Sequence, residues 1–256
     1  MKYIGMFAVI ALLSLLPVTI DAAAEMELTV SAAISLKDAF EEIRKLFQAG
    51  HKGVKVLYNF GASGSLARQI EEGAPADVFA SAAQKDMDDI EIKGLVVPGT
   101  RLNFARNSVV LVVPTSGDVR IDSFAALKLA GIKKVAIGNP RTVPAGRYAK
   151  EVLDFYKTLP AVNNKLILAE NARQVLDYVA TGEVDAGVVY MTEALTRTKE
   201  VKVVSTAPEQ SHKPVIYPIA VVRGTKNEKL SVAFIQTVNS QTAQGILKKY
   251  GFTTQK

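Results

Sequence analysis

The segment "YNFGASGSLARQI", Tyr58 to Ile70, sets the small residues Gly61 to Ser65 between an apolar run and a helix-patterned stretch. A strand that passes through a tight turn into a helix is the building unit of α/β proteins. Ser63, at the centre of that turn, has several readings: a nucleophile, a phosphate-loop residue, an anion ligand or a helix cap.

Outward from this segment the same alternation recurs. "MELTVSA" reads as a strand, and Leu36, Ala39, Phe40, Ile43, Leu46 and Phe47 follow the helical period until Gly50. "VKVLYNF" is the next strand, followed by a helix over about Leu66 to Glu72. "ADVFASA" and about Lys85 to Ile92 repeat strand and helix. After "TRLNFARN" come the strand "SVVLVVP", a helix at "SFAALKLA", the strand "KKVAIGNP" and a longer helix in "AGRYAKEVLDFYKTL". "KLILAE" with "NARQVLDYVATG", and then "AGVVYMTEAL", continue the pattern. Strands "VKVVST" and "VIYPIAVVRG" precede closing helices over about Glu228 to Val238 and Ala243 to Lys249. Such units imply mainly parallel sheets flanked by helices, and their number argues for two sheets. The chain is expected to cross between them near Phe104 to Asn107 and again near Ile219 to Val222. That gives one lobe from 25–105 plus 221–256 and a second from 106–220.

Residues 1–24 are read separately. Lys2 supplies a positive start, Ile4 to Val18 is apolar, and Ala22 and Ala24 fit a signal-peptidase site. The run is shorter than a membrane span requires, so a cleaved signal and a periplasmic location are expected. Cleavage leaves roughly 230 residues, enough for two lobes of about a hundred each. The chain has no cysteine, which excludes disulfides, thiolate metal sites and a lipid-modified cysteine. The net charge of +6 is dispersed and interleaved with acids, as in "KNEKL" and "RTKEVK", which argues against a nucleic-acid partner. A diffuse positive field still favours the arrival of an anion.

The catalytic readings of Ser63 fail on specific residues. A nucleophile elbow needs G-x-S-x-G, and Ser65 stands where the last glycine belongs. A base is also required, and the only histidines, His51 and His212, lie in polar, turn-like settings. A Walker loop needs a lysine after the glycine, and none follows Gly64. An anion site and a helix cap remain, because the first amides of a helix lack intrahelical partners. Similar turns occur at Ser35, where "SLKD" has the form of a capping box, at Ala145 and Gly146 after Pro144, and at Asn171 and Ala172. Turns of this kind are ordinary in α/β proteins, so their recurrence favours an anion site without naming the anion.

"AAISLKDAF", "GASGSLARQIEEGAPADVFASA", "NPRTVPAGRYAKEVL", "AGVVYMTEAL", "SHKPVIYPIAVV" and "ILKKYGF", in this order, resemble the periplasmic molybdate-binding proteins of ABC importers. The resemblance implies two α/β lobes, the type II solute-binding fold, closing over one tetrahedral oxyanion, molybdate or tungstate. It implies hydroxyl and amide donors from Ser35 and Ser63, amides from Ala145 and Ala172, and the phenol of Tyr190. The metal then arrives as an oxyanion held through its oxygens, with no cofactor and no direct metal ligation. The implied partners are an ABC permease and its ATPase, and the implied state is a monomer without enzymatic activity. Arg147 and Arg173 read as surface residues or residues behind the site. The competing readings are the same fold binding sulfate, phosphate or another small oxyanion, and a serine hydrolase built on Ser63.

Overall fold

The computed structural model describes residues 26–116 and 120–253. The expected signal segment, 1–24, lies outside the described residues. Among the described residues no helix is long and apolar enough to cross a membrane.

The first half of the chain runs β1 (Met26–Ala33), α1 (Lys37–Gly50), β2 (Val54–Gly61), α2 (Ser63–Glu71), β3 (Val78–Ala80), α3 (Gln84–Ile92), β4 (Leu102–Arg106) and β5 (Val109–Pro114). The second runs β6 (Val135–Gly138), α4 (Pro144–Phe155), α5 (Leu159–Val162), β7 (Leu166–Ala169), α6 (Ala172–Ala180), β8 (Ala186–Tyr190), α7 (Met191–Ala194) and β9 (Val201–Thr206). β10 (Ile216–Val221), α8 (Glu228–Val238) and α9 (Gln241–Lys249) follow. The strands form two five-stranded sheets, ordered β2-β1-β3-β10-β4 and β7-β6-β8-β5-β9.

The two orders are the same pattern. In each sheet four of the five strands point the same way, and the fourth position is antiparallel to both neighbours. That fourth strand is the one arriving from the other sheet: β5 enters the second, β10 returns to the first. The sheets are thus mainly parallel in strand direction, as expected, with one reversed strand each, because a strand crossing between facing sheets arrives in the opposite sense. The first crossing falls at Asn107–Ser108, between β4 of the first sheet and β5 of the second. The second lies between Thr206 and Ile216, so Ile219 to Val222 already belongs to the first sheet, where Ile219 to Val221 pair with β3.

Local sequence explains most elements. β5 is buried at Val109 to Val113, the continuous apolar run of a strand covered on both faces. α1 buries Ala39, Phe40, Ile43 and Phe47 at helical spacing. Phe40 gathers the first lobe, its ring centroid 5.9 Å from those of Tyr58 and Phe104 and 6.1 Å from that of Phe234. Pro144 opens α4, where its missing N–H costs nothing. Gly146 lets that helix lie directly on β6: a Cβ there would stand 1.8 Å from the Gly138 carbonyl oxygen. Two expectations shift. α2 begins at Ser63 rather than Leu66, and the "SFAALKLA" helix is a short 3₁₀ segment, Phe124–Lys128.

Candidate oxyanion site between the lobes

All five expected residues stand at the C-terminal ends of parallel strands, where open α/β sheets bind their ligands. Ser35 follows β1, Ser63 opens α2 after β2, Ala145 lies in the first turn of α4 beyond β6, Ala172 opens α6 beyond β7, and Tyr190 ends β8. Each is buried, at most 6% exposed.

Neither serine caps a helix. Residue Ala62 is the N-cap of α2 and Leu36 that of α1, both without a side-chain cap. The capping-box reading of "SLKD" is therefore corrected: a 3₁₀ turn over Ile34–Leu36 carries Ser35 away from the cap position. Its Oγ lies instead 2.9 Å from the Tyr217 phenol oxygen. Ser63 Oγ accepts the Ala82 N–H at 2.9 Å. No base contacts Ser63 Oγ among the described residues. His51 lies at the far end of β2, a strand of eight residues spanning roughly 25 Å.

Contacts between the lobes set these residues against one another. The Tyr190 phenol donates to the Ala82 carbonyl at 3.3 Å, so one residue of the first lobe joins Ser63 and Tyr190. The Gly64 N–H donates to the Thr142 carbonyl at 3.0 Å, bringing the starts of α2 and α4 together. The amides of Ser63, Ala145 and Ala172 lie in first helical turns, have no intrahelical acceptor, and make no other hydrogen bond among the described residues.

Arg147 and Arg173 are partly buried and link the two lobes. Arg147, on α4, pairs with Asp86 of α3, whose side chain is 4% exposed. Arg173, on α6, pairs with Asp38 of α1 at 2.7 Å, and its Nε lies 2.6 Å from the buried Glu193 carboxylate of α7. Each amide expected from the second lobe thus has, one or two residues on, an arginine clasping a carboxylate of the first. Ala145 is drawn toward Ser63 in this way, and Ala172 toward Ser35.

Burial drives the local protonation states. It pushes the phenols of Tyr190 and Tyr217 far above their ordinary range, so both stay protonated donors. It raises Glu193 to about 7, opposed by Arg173, and raises Asp86 against the pull of Arg147.

Sequence reading missed Ala82, Asn107, Thr192 and Tyr217, together with both carboxylates of the inter-lobe pairs. Asn107 Nδ2 donates to Thr192 Oγ1 at 2.9 Å and to the Tyr217 oxygen at 3.1 Å. Tyr217 stood inside the quoted "SHKPVIYPIAVV" and Asn107 at the expected first crossing, but no spacing rule ties either to Ser35, 182 residues from Tyr217.

The chain matches the family model for bacterial extracellular solute-binding proteins over residues 28–253. It is 43% identical over 235 residues to the molybdate-binding protein ModA of Escherichia coli, covering 90% of each chain. Its fold matches the periplasmic molybdate-binding protein of Azotobacter vinelandii with a TM-score of 0.79 at 24% identity, covering 90% of this chain and all of that one. It matches the sulfate-binding protein SubI of Mycobacterium tuberculosis with a TM-score of 0.76 at 21% identity, covering 90% and 87%. A two-lobed α/β fold, a buried donor set between the lobes and this match over most of the chain agree: the protein belongs to the bacterial extracellular solute-binding proteins.

Proposed function

We propose that this protein captures molybdate or tungstate between its lobes and presents it to an ABC permease and its ATPase. It acts as a periplasmic monomer with a cleaved signal and without enzymatic activity. Ser35 and Ser63 contribute hydroxyls and amides, Ala145 and Ala172 amides, and Tyr190 its phenol, whose proton turns from the Ala82 carbonyl to the anion. One lobe comprises the first sheet with α1 to α3, α8 and α9, and the other the second sheet with α4 to α7.

The observation that carries this reading is the convergence of all five residues, buried, on the facing ends of the two sheets. A tetrahedral dianion offers acceptors only, and this set offers donors. Hydrogen bonds to an ionised acceptor contribute roughly 1.5–3 kcal/mol each, and several together offset the desolvation of the dianion. Ligand that touches both lobes stabilises the closed arrangement.

The same donor set disfavours anions that carry a proton. Hydrogen phosphate would bring a donor into a site whose nearest carboxylates, Asp86 and Asp38, are engaged by arginines. An unpaired buried donor costs roughly 1–3 kcal/mol. Sulfate matches molybdate in charge and shape and is excluded by size. Titration calorimetry with molybdate, tungstate, sulfate and phosphate tests the assignment. Tight binding of the first two is expected, and equal affinity for sulfate overturns it.

A further inference from the structure

We infer that Tyr217 and Asn107 are positioning residues that fix Ser35 as a hydrogen-bond donor toward the bound oxyanion, through the relay Asn107 to Tyr217 to Ser35. The inference rests on the proposed function and concerns how the same site obtains its selectivity.

The direction of the relay follows from its first member. Asn107 Oδ1 accepts the Ser108 N–H at 2.9 Å, which only an oxygen can do, so the nitrogen faces the other way. That nitrogen is donor-only, and it reaches both Thr192 Oγ1 and the Tyr217 oxygen. Tyr217 therefore accepts a hydrogen bond from Asn107 and must direct its single phenolic proton elsewhere. The Ser35 Oγ, at 2.9 Å, is the partner available. With a lone pair filled from behind, Ser35 keeps its own proton for the cleft, and Ser35 Oγ has no other partner among the described residues. Tyr217 is wholly buried and its phenol is held far above its ordinary range, so the relay does not lose its proton as pH changes. Ser63 meets the same condition by a different route, since the Ala82 N–H fills its lone pair.

The placement gives the relay its reach. Asn107 sits where the chain crosses from β4 to β5, Tyr217 lies on β10 just after the return crossing, and Thr192 belongs to α7 of the second lobe. One hydrogen-bonded line thus couples both crossings to the polarity of a single hydroxyl in the cleft.

Two mutant cycles, read by molybdate calorimetry on the mature chain, test this. In the first, Tyr217→Phe keeps the ring among Phe104, Tyr190 and Phe252 and is expected to weaken binding no more than about tenfold. Asn107→Asp reverses the relay: the new carboxylate accepts a hydrogen bond from the Tyr217 phenol, Tyr217 accepts one from the Ser35 hydroxyl, and Ser35 turns a lone pair toward the anion. A loss of more than about a hundredfold is expected. The double variant keeps the added charge but cuts the relay, and it should bind better than Asn107→Asp alone. Equal or weaker binding by the double variant shows that only the added charge matters and overturns the inference. The second cycle needs no aspartate. Tyr217→Phe should weaken binding in the wild-type background and have no effect in a Ser35→Ala background. A loss that persists without the Ser35 hydroxyl marks Tyr217 as merely structural and overturns its positioning role. A wild-type protein that binds none of the tested oxyanions defeats the functional reading itself, an outcome distinct from either cycle failing.

Discussion

Replacing Gly64 by alanine should obstruct closure of the cleft while leaving each lobe folded. Gly64 occupies the first turn of α2, and its N–H donates across the cleft to Thr142 at 3.0 Å. A Cβ at this position would lie 2.7 Å from the Thr142 carbonyl oxygen, 3.1 Å from Thr142 Cα and 3.2 Å from Asp86 Oδ1. Two of these atoms are backbone of the opposite lobe and cannot rotate away, so the lobes themselves must shift. Overpacking of this kind costs about 1–3 kcal/mol. If the cost falls wholly on the closed state, it appears as a dissociation constant about 5- to 150-fold weaker, at 1.4 kcal/mol per tenfold. Within α2 alanine is a better helix former than glycine by at most about 1 kcal/mol, so the ligand-free melting temperature should not fall. Gly146→Ala is the contrast, because its clash with the Gly138 carbonyl lies inside one lobe and should destabilise the fold. Calorimetry with molybdate and thermal melts of the ligand-free protein read the two effects separately. A Gly64→Ala affinity within twofold of wild type, or a melting temperature lowered as far as that of Gly146→Ala, refutes the placement of this clash between the lobes.

Other expectations follow from the same geometry. Ser63→Ala removes a donor to an ionised acceptor and should weaken molybdate binding about 10- to 150-fold without unfolding the ligand-free protein; an unchanged constant in calorimetry refutes the role of its hydroxyl. Asp38→Asn and Asp86→Asn each remove one inter-lobe ion pair while leaving the arginine able to hydrate, so molybdate should dissociate several-fold faster in stopped-flow displacement; equal rates would mean that the pairs do not restrain opening. Glu193 titrates near 7 in the fold because it is buried, against an ordinary 4.5, so the folded state binds the extra proton. Its contribution therefore makes the protein less stable as pH rises from about 4.5 to about 7. Melting curves of wild type and Glu193→Gln should diverge across that window, and parallel curves refute the shift.

The fold was legible wherever local pattern carries the information. Val109 to Val113, or the spacing of Phe40, Ile43 and Phe47, can be read without a partner because their periodicity reports one face or two. The one reversed strand in each sheet was not, because strand direction at the fourth position depends on which sheet the chain has just left. "VIYPIAVVRG" carries no mark of that history. The same divide separates the site residues. Ser35, Ser63, Ala145 and Ala172 announce themselves as helix starts, and the family resemblance added Tyr190. Tyr217 and the carboxylates Asp38 and Asp86 are invisible locally, since each acquires its role from a residue in a distant element. Asp38 looked like half of a capping box for the good local reason that S-x-x-D often is one, but the 3₁₀ turn at Ile34–Leu36 freed it to meet Arg173.

The two arginines bear on why the proposed dianion site can do without a cation. Arg147 and Arg173 lie in the first turns of α4 and α6, where the helix dipole disfavours positive charge. A carboxylate from the other lobe offsets that charge in each case, and the pairing can form only when the lobes meet. Had either arginine turned to the anion instead, Asp86, 4% exposed, or Asp38 would be left as a free acceptor beside the cleft. A free acceptor is what a protonated oxyanion needs, and discrimination against hydrogen phosphate would fall. Keeping both arginines on their carboxylates leaves the anion to amides and hydroxyls, whose attraction depends on position and is lost when an oxygen sits at the wrong radius. The arrangement thus ties two properties together: the contacts that hold the lobes shut are the ones that deny a protonated ligand its partner.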